Sequence, residues 1–420
     1  MDTCTTGFEN KVSDIVCTVC QRKFDTESGL KIHMGRSHKE TSRNKDSNFE
    51  SANPDLLGKS LELAVKKDKK PVKKTASAEL KRDQEDLKLS IKDIGEASEV
   101  INSFIDSFVN KLNEISNLGW TDFKSGSYYD KTKNDFPDEF DIMLYPDVQV
   151  SVDFEHKSTP GFYKVKLVSV RLEELENITD KDGYIFPKKF KKYAFRMFSE
   201  VLDEIREGRR TKRVKKSNNS PAYTINYKAI LGKPIDIDLV PSFRIDGWPL
   251  GIARRVNPKW ITSDKVANDS MMSYDVVCKT YPGDIPNKCL LWRLSFSLTE
   301  RMLVTHANGA DSTRFRKNAY RFLKKCIQDI KEENPEKITK FCSYYLKQFM
   351  FTQYDTWPTT EKPEVLIQRN IIHQLIHALS LSPPTICNYF IENDNVIQFV
   401  PPIEIDMVIK GLKEKVKRLQ

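Results

Sequence analysis

An α+β fold is predicted for this chain: a mixed sheet flanked by one long helix, a helical C-terminal lobe, and a small N-terminal module closed by a metal. Three observations carry the prediction. Short runs between residues 120 and 240 alternate apolar and polar side chains with the period of two that a half-buried strand requires. From about Glu79 to Ser116, and again after Ser297, apolar residues instead recur at steps of three and four, the period of an amphipathic helix. Near the N-terminus stands Cys17-x2-Cys20-x12-His33-x4-His38, with Phe24 and Leu30 between the pairs.

That last spacing is a C2H2-type zinc-finger signature over residues 15–38. Two thiolates and two imidazoles enclose one tetrahedral Zn²⁺, and so small a unit buries too little apolar area to fold without it. A single finger spans about 3 bp of DNA, so it adds affinity or binds a protein. Residues 39–78 are rich in Ser, Asn, Lys and Glu and poor in aromatics, the composition of a disordered linker. Within them Lys66 to Lys74 holds six Lys against one Asp, which suits either a phosphate-tracking or nuclear-import tract or a plain solvated tether.

Ile91, Ile94, Ile101, Ile105, Phe108, Leu112 and Ile115 mark one long helix, a spine of roughly 50 Å at 1.5 Å per residue. It opens a lobe over residues 79–298, with strands expected near 141–144, 163–172, 223–231 and 235–240 and a helix over 190–207. Residues 299–420 form the helical lobe, with helices over 314–332, 337–351, 363–379 and 406–419. His373 and His377 share a helix face, but Ile371, Ile372, Leu375 and Ile376 around them point to packing and not to a metal.

Composition limits the function classes. Lys plus Arg number 68 against 59 Asp plus Glu, a formal net charge of +9, and the excess is clustered. Clustered positive charge suits a polyanionic partner. No apolar run reaches the length of a membrane span, and Met1-Asp2-Thr3-Cys4 does not begin a secretory signal, so a cytosolic or nuclear protein is expected. Eight Cys, only Cys17 and Cys20 of them closely spaced, are no disulfide framework; Cys278, Cys289, Cys326, Cys342 and Cys387 read as reduced, buried small hydrophobes.

The chemistry concentrates in Gly126-Ser127-Tyr128-Tyr129 and Glu139-Phe140-Asp141-Ile142-Met143-Leu144. Side chains two apart on a strand share a face, so Glu139 and Asp141 point one way while Phe140, Ile142 and Leu144 point the other. Paired carboxylates suit Mg²⁺ (or Mn²⁺), which takes oxygen ligands and binds substrate phosphates as well. A two-metal site needs a third carboxylate from a neighbouring strand, and Asp236 and Asp238 both qualify. Gly126 allows close backbone approach, and Ser127 offers a hydroxyl and an amide to a phosphate.

Gly-Ser, then Glu-x-Asp on a strand, then an Asp on a strand closed by a Pro, resembles the nucleotidyltransferases that include cyclic GMP-AMP synthase and oligoadenylate synthase. The agreement with the synthase group continues in order through Leu87-Lys88-Leu89-Ser90, Ser220-Pro221-Ala222, Trp292-Arg293-Leu294-Ser295-Phe296-Ser297 and Ser343-Tyr344, over residues 79 to 420. It implies a two-lobed nucleotidyltransferase core that makes a cyclic dinucleotide second messenger from ATP and GTP in innate immune signalling. On this resemblance Asp238 is the third catalytic carboxylate, because Asp-Leu-Val-Pro puts the Pro in place; Ser127, Lys324 and Ser343 hold the triphosphate, Tyr344 stacks on a base, and Arg293, Ser295 and Ser297, alternating on a strand, contact the nucleotides. It also makes the basic run with Arg209, Arg210, Lys212, Arg213, Lys215 and Lys216 an activation loop that answers double-stranded nucleic acid.

One departure matters. His306 stands where the DNA-sensing vertebrate members begin a zinc ribbon, but no Cys follows it through Arg314. Without that ribbon, which supports DNA grip and dimer formation, double-stranded RNA is favoured over DNA, and a homodimer on ligand stays open. A catalytically silent nucleic-acid-binding scaffold and a template-independent synthase of linear oligonucleotides are the alternatives.

Overall fold

The computed structural model describes residues 15–16, 23–24 and 91–419, apart from 135–137, 156–158, 169–172, 206–210, 215–219, 229–233, 255–272, 307–314 and 358–363. The chain divides into two compact units, Met1–Lys73 and Lys74–Gln420. In the first, β1 (Ile15–Val16) pairs antiparallel with β2 (Lys23–Phe24), Ile15 opposite Phe24. The four expected zinc ligands lie outside the described residues.

The second unit begins with α1 (Ile91–Ile115). The expected helix over 79–116 is described only from Ile91, where its apolar stripe holds: Ile101, Ile105, Phe108 and Leu112 are all fully buried. Then come β3 (Thr121–Ser125), a short helical turn Gly126–Tyr129, β4 (Glu139–Tyr145), β5 (Val150–Asp153) and β6 (Phe162–Leu167). The next helix, α2 (Pro187–Glu204), starts at a proline, whose missing N–H costs nothing in a first turn. Its buried Phe190, Ala194, Met197, Phe198 and Val201 repeat at three and four.

Four more strands follow: β7 (Thr211–Val214), β8 (Tyr223–Tyr227), β9 (Ile235–Asp246) and β10 (Ser273–Val277), with β11 (Leu291–Ser295) completing the sheet. The order is β3-β4-β9-β10-β11-β6-β5, and β8 also pairs with β9 and carries β7. Only β4 and β9 run parallel among the described pairs. Helices α1 and α2 cover one face: Phe108 meets Phe198, and Phe190 lies 4.5 Å from the Phe243 ring of β9 and 5.7 Å from Trp292 of β11. Removing one such ring would cost about 3–5 kcal/mol. The other face is left for chemistry.

The strand expected at 235–240 does not close at Pro241; it runs on to Asp246. Residues up to Pro241 pair with β4, and those from Ser242 pair with β10, so the proline sits where β9 changes partners and its missing N–H is least needed. Part of the basic run expected as a loop is likewise the strand β7, paired with β8.

The remaining helices are α3 (Ser297–His306), α4 (Phe315–Glu332), α5 (Ser343–Thr356), α6 (Glu364–Leu379) and α7 (Pro402–Leu419). The strand motif therefore ends at Ser295, and Ser297 opens α3, which packs on the sheet. Helix α5 starts six residues later than its expected start at Lys337 because Glu404 of α7 takes the backbone amides of Lys340 and Phe341 at 2.8 and 3.1 Å. Those amides bend around a carboxylate instead of entering a helix. His373 and His377 are exposed, while Ile371, Ile372 and Leu375 of the same helix are buried. Of the five cysteines read as buried, Cys278 and Cys326 are, but Cys289, Cys342 and Cys387 are exposed; none of the five forms a disulfide. No helix among the described residues is long and apolar enough to cross a membrane.

Candidate active site

The site is built by register. Antiparallel pairing of β3 with β4 sets Ser125 opposite Asp141, and parallel pairing of β4 with β9 sets Asp141 opposite Asp238. On the far side β8 sets Thr224 opposite Asp238. One row across four strands thus brings together the residue that leads into the Gly-Ser turn, two carboxylates and a hydroxyl. Glu139 lies two residues before Asp141 on the same face, and ligand atoms of Glu139, Asp141 and Asp238 all fall within 4.8 Å of one another. Burial deepens from exposed Glu139 through half-buried Asp141 to Asp238 at 8% exposure.

Asp238 and Glu139 each have a partner. Thr224 donates its hydroxyl to Asp238 Oδ1 at 2.6 Å. Lys133 Nζ lies 2.6 Å from Asp138 and 3.9 Å from Glu139, answering part of the concentrated negative charge. Asp236, the rival third carboxylate, instead accepts from Asn226 Nδ2 at 2.9 Å and stands outside the cluster.

Gly126 explains why the turn must begin with glycine. Its φ is +83°, and a Cβ there would collide with Asp141 Oδ2 and lie 2.7 Å from the Cγ of the same side chain. Left-handed backbone and the carboxylate's approach both exclude a side chain. Ser127 follows at the edge of a cleft of about 600 Å³, whose lining includes Ser127 and Glu139 from the sheet side and Lys324, Lys331, Cys342 and Ser343 from the helical side.

The two walls are stitched together just beyond the turn. Lys324 Nζ donates to the Thr132 carbonyl at 3.1 Å, and Asn134 Nδ2 donates to the Arg321 carbonyl at 2.8 Å. Burial, followed by the neighbouring Lys133 and Lys347 charges, lowers the Lys324 pKa to about 8. Ser343 is exposed and lines the cleft as the first residue of α5, where a helix N-terminus leaves backbone amides without partners in the helix.

A second cluster gathers the other residues singled out by sequence. Arg293, Ser295 and Ser297 are half-buried on one face while Trp292, Leu294 and Phe296 are buried on the other, and the Ser295 and Ser297 hydroxyls lie 2.9 Å apart. The Arg293 guanidinium is engaged: Nη1 and Nη2 donate to the two oxygens of buried Asp394 at 3.0 and 2.5 Å, and Tyr344 bonds to it as well. Gly161 makes room for it, since a Cβ there would collide with Nη1 and lie 2.9 Å from Cζ. Lys212 and Arg213 are exposed on β7, with Arg213 stacked 4.6 Å over the Tyr223 ring. Arg209, Arg210, Lys215 and Lys216 lie outside the described residues.

Sequence reasoning missed Lys133, Thr224 and Asp394. Thr224 and Asp394 have no local signal, because each acts on a residue 14 or more positions away. Lys133 sits six residues before Glu139 in a loop, with nothing to separate it from other surface lysines.

A mixed sheet bearing three clustered carboxylates beside a Gly-Ser turn, with a helical lobe as the opposite wall, defines the nucleotidyltransferase class of fold. Comparison with known proteins agrees: residues 128–306 match the Mab-21 protein nucleotidyltransferase domain and residues 315–414 the Mab-21 protein HhH/H2TH-like domain. Together the matches span well over half of the chain, which belongs to the Mab-21 family. It is 39% identical over 323 residues to a cyclic GMP-AMP synthase-like receptor of Magallana gigas, covering 75% of this chain and 54% of that protein. It is 26% identical to a receptor of the same name from Aethina tumida, over 61% of this chain and 64% of the other. With the cyclic GMP-AMP synthase of Mus musculus it shares 25% identity, over 66% of this chain and 56% of the other. The chain spans between half and two thirds of the length of these relatives.

Proposed function

We propose that this protein is a nucleic-acid-activated nucleotidyltransferase that joins ATP and GTP into a cyclic dinucleotide for innate immune signalling. The observation that carries the reading is the meeting of Glu139, Asp141 and Asp238 within 4.8 Å, beside the turn that presents Ser127. Carboxylate oxygens are the hard donors that Mg²⁺ or Mn²⁺ takes, and three of them fit such an ion. When bound, the metal pair supplies charge neutralisation at the transferring phosphoryl group and acidifies the attacking hydroxyl.

The chain's own residues do the rest. Gly126 lets the turn approach Asp141, so Ser127 offers its amide and hydroxyl to the triphosphate close to the carboxylates. Lys324 and Ser343 meet the same triphosphate from the helical wall, and fixed donors there lower the barrier without rearranging during reaction. Ser295, Ser297 and Tyr344 address the bases, and Arg293 orients Tyr344 through their shared hydrogen bond. Thr224 holds Asp238 in place. The zinc finger at Cys17, Cys20, His33 and His38 and the basic clusters add attraction for a duplex, double-stranded RNA ahead of DNA.

The deciding experiment incubates the full chain with labelled ATP and GTP, Mg²⁺, and matched double-stranded RNA or DNA, then treats the products with phosphatase and separates them. A phosphatase-resistant cyclic product that depends on duplex is expected. Linear products alone would move the assignment to an oligonucleotide synthase, and no product with either duplex would make the chain a scaffold.

A further inference from the structure

The helical lobe holds a second cavity, which the proposed reaction does not use. Its volume is about 530 Å³, and it lies between α5 and α6, bounded on a third side by the segment that follows α6. Phe349 of α5 and Ile386 of that segment are the buried part of its lining, at 5% and 3% exposure, and Ala378 and Leu381 extend the apolar surface. Leu381, just past the end of α6, is 43% exposed. Two residues singled out in the sequence, His377 and Cys387, line the same cavity and are exposed as well.

Charge separates this cavity from the candidate active site. Its lining holds no Asp, Glu, Lys or Arg, in a chain of which 30% of residues are charged, whereas Lys133, Glu139, Lys324 and Lys331 all line the catalytic cleft. A phosphate entering here would lose water and meet no permanent cation in exchange, so a nucleotide is the wrong occupant. The polar groups present are neutral ones. Those of Thr352, Thr356 and Thr385 are engaged, since their hydroxyls donate to the backbone carbonyls of Gln348, Gln353 and Pro383. Gln353 from α5 and Gln374 from α6 add a side-chain amide on each helix.

We propose that this cavity is a binding site for a small uncharged molecule with an apolar body and hydrogen-bonding ends. Its volume falls within the range of about 300 to 1,000 Å³ usual for such sites, which join apolar walls to a few convergent polar groups. Phe349, Ile386, Ala378 and Leu381 would take the apolar body, and the amides of Gln353 and Gln374 would pair with its carbonyl or hydroxyl groups. The proposal stands apart from the reading of the catalytic cleft.

The test uses the full chain and Prodan, a neutral naphthalene ketone whose emission shifts to the blue in apolar surroundings, with iodoacetamide alkylation of the exposed cysteines to locate it. Cys387 lines this cavity, Cys342 lines the catalytic cleft, and Cys289 lines neither. Saturable binding with a blue shift is expected, slowing alkylation of Cys387 while Cys342 and Cys289 react as before. Leu381→Asp places a carboxylate at an exposed position, where the fold tolerates it but the probe would strip it of water; binding should weaken about tenfold at unchanged melting temperature. Ala378→Trp, which fills the space, should abolish binding. Protection of Cys342 in place of Cys387 would put the probe in the catalytic cleft and overturn the proposal. Wild-type affinity in Leu381→Asp, or no saturable binding to the wild type, would overturn it equally.

Discussion

At the scale of single residues, the site depends on approaches too close to survive small changes. Gly126→Ala drives a methyl group into the Asp141 carboxylate at a φ of +83°, so either the turn or the carboxylate must move. Loss of product by 100-fold or more is expected from a chain that still folds, a drop of about 3 kcal/mol in transition-state stabilisation. Asp141→Asn and Glu139→Gln should abolish product at unchanged melting temperature, because each removes a ligand charge and little volume. Substantial residual synthesis in either, with Mg²⁺ or Mn²⁺, would falsify the assignment of these carboxylates. Lys324 adds a dependence on pH. Burial lowers its pKa to about 8, so its ammonium is charged below that value and neutral above it. A bound triphosphate favours the charged form; MgATP affinity should therefore weaken as pH rises from 7 to 9, and Lys324→Arg should flatten the profile. For stability the sign reverses. An unfolded chain holds this proton up to about 10.5, so in this group's share stability rises with pH between about 8 and 10.5.

At the scale of elements, helix limits and strand partners decide where side chains arrive. Glu404 accepts the amides of Lys340 and Phe341 and so fixes where α5 begins, with Ser343 at its first position. Glu404→Ala leaves the Lys340 and Phe341 amides and the Thr339 hydroxyl without their acceptor, a cost of about 2 to 3 kcal/mol. It should lower the melting temperature and weaken MgATP binding together, which melting curves and calorimetry would register. The edge strand β7 is the other case. Lys212 and Arg213 project from a paired strand, not a free loop, so a duplex can meet them without ordering that stretch first. Charge reversal at Arg209, Arg210, Lys212 and Arg213 should suppress duplex activation and spare any basal synthesis with Mn²⁺. Equal activation of the reversed variant and the wild type would remove β7 from the duplex interface. The strand carrying Glu139 and Asp141 was legible because alternation is a local property. The continuation of β9 past Pro241 was not, since its pairing with β10 involves residues 27 to 35 positions away.

At the scale of the whole molecule, the chain divides into an N-terminal unit and a larger unit that holds the candidate active site. The boundary between the two compact units falls at Lys73–Lys74, and the described sheet and helical lobe belong to one of them. Deletion of residues 1–78 should therefore leave a folded core that makes product at saturating duplex. Its duplex affinity should fall, and the slope of affinity against salt should flatten by roughly one for each phosphate that the shortened chain no longer neutralises. A truncated protein inactive at every duplex concentration would place the finger within the catalytic machinery.

What the sequence alone determined are features set by neighbours along the chain: the stripe of α1, the shared face of Glu139 and Asp141, the turn at Gly126-Ser127, and the alternation from Trp292 to Ser295. Periodicity and turn chemistry are written within a few residues. The choice of Asp238 over Asp236 shows the limit. Both lie on one face of β9, and only strand register places Asp238 opposite Asp141 while Asn226 claims Asp236. The same holds for Arg293, whose aspartate partner lies 101 residues later in the chain. Tertiary structure decided these matters because a side chain's partners are fixed by which strands and helices lie beside it, and that is a balance of burial and pairing over the whole chain.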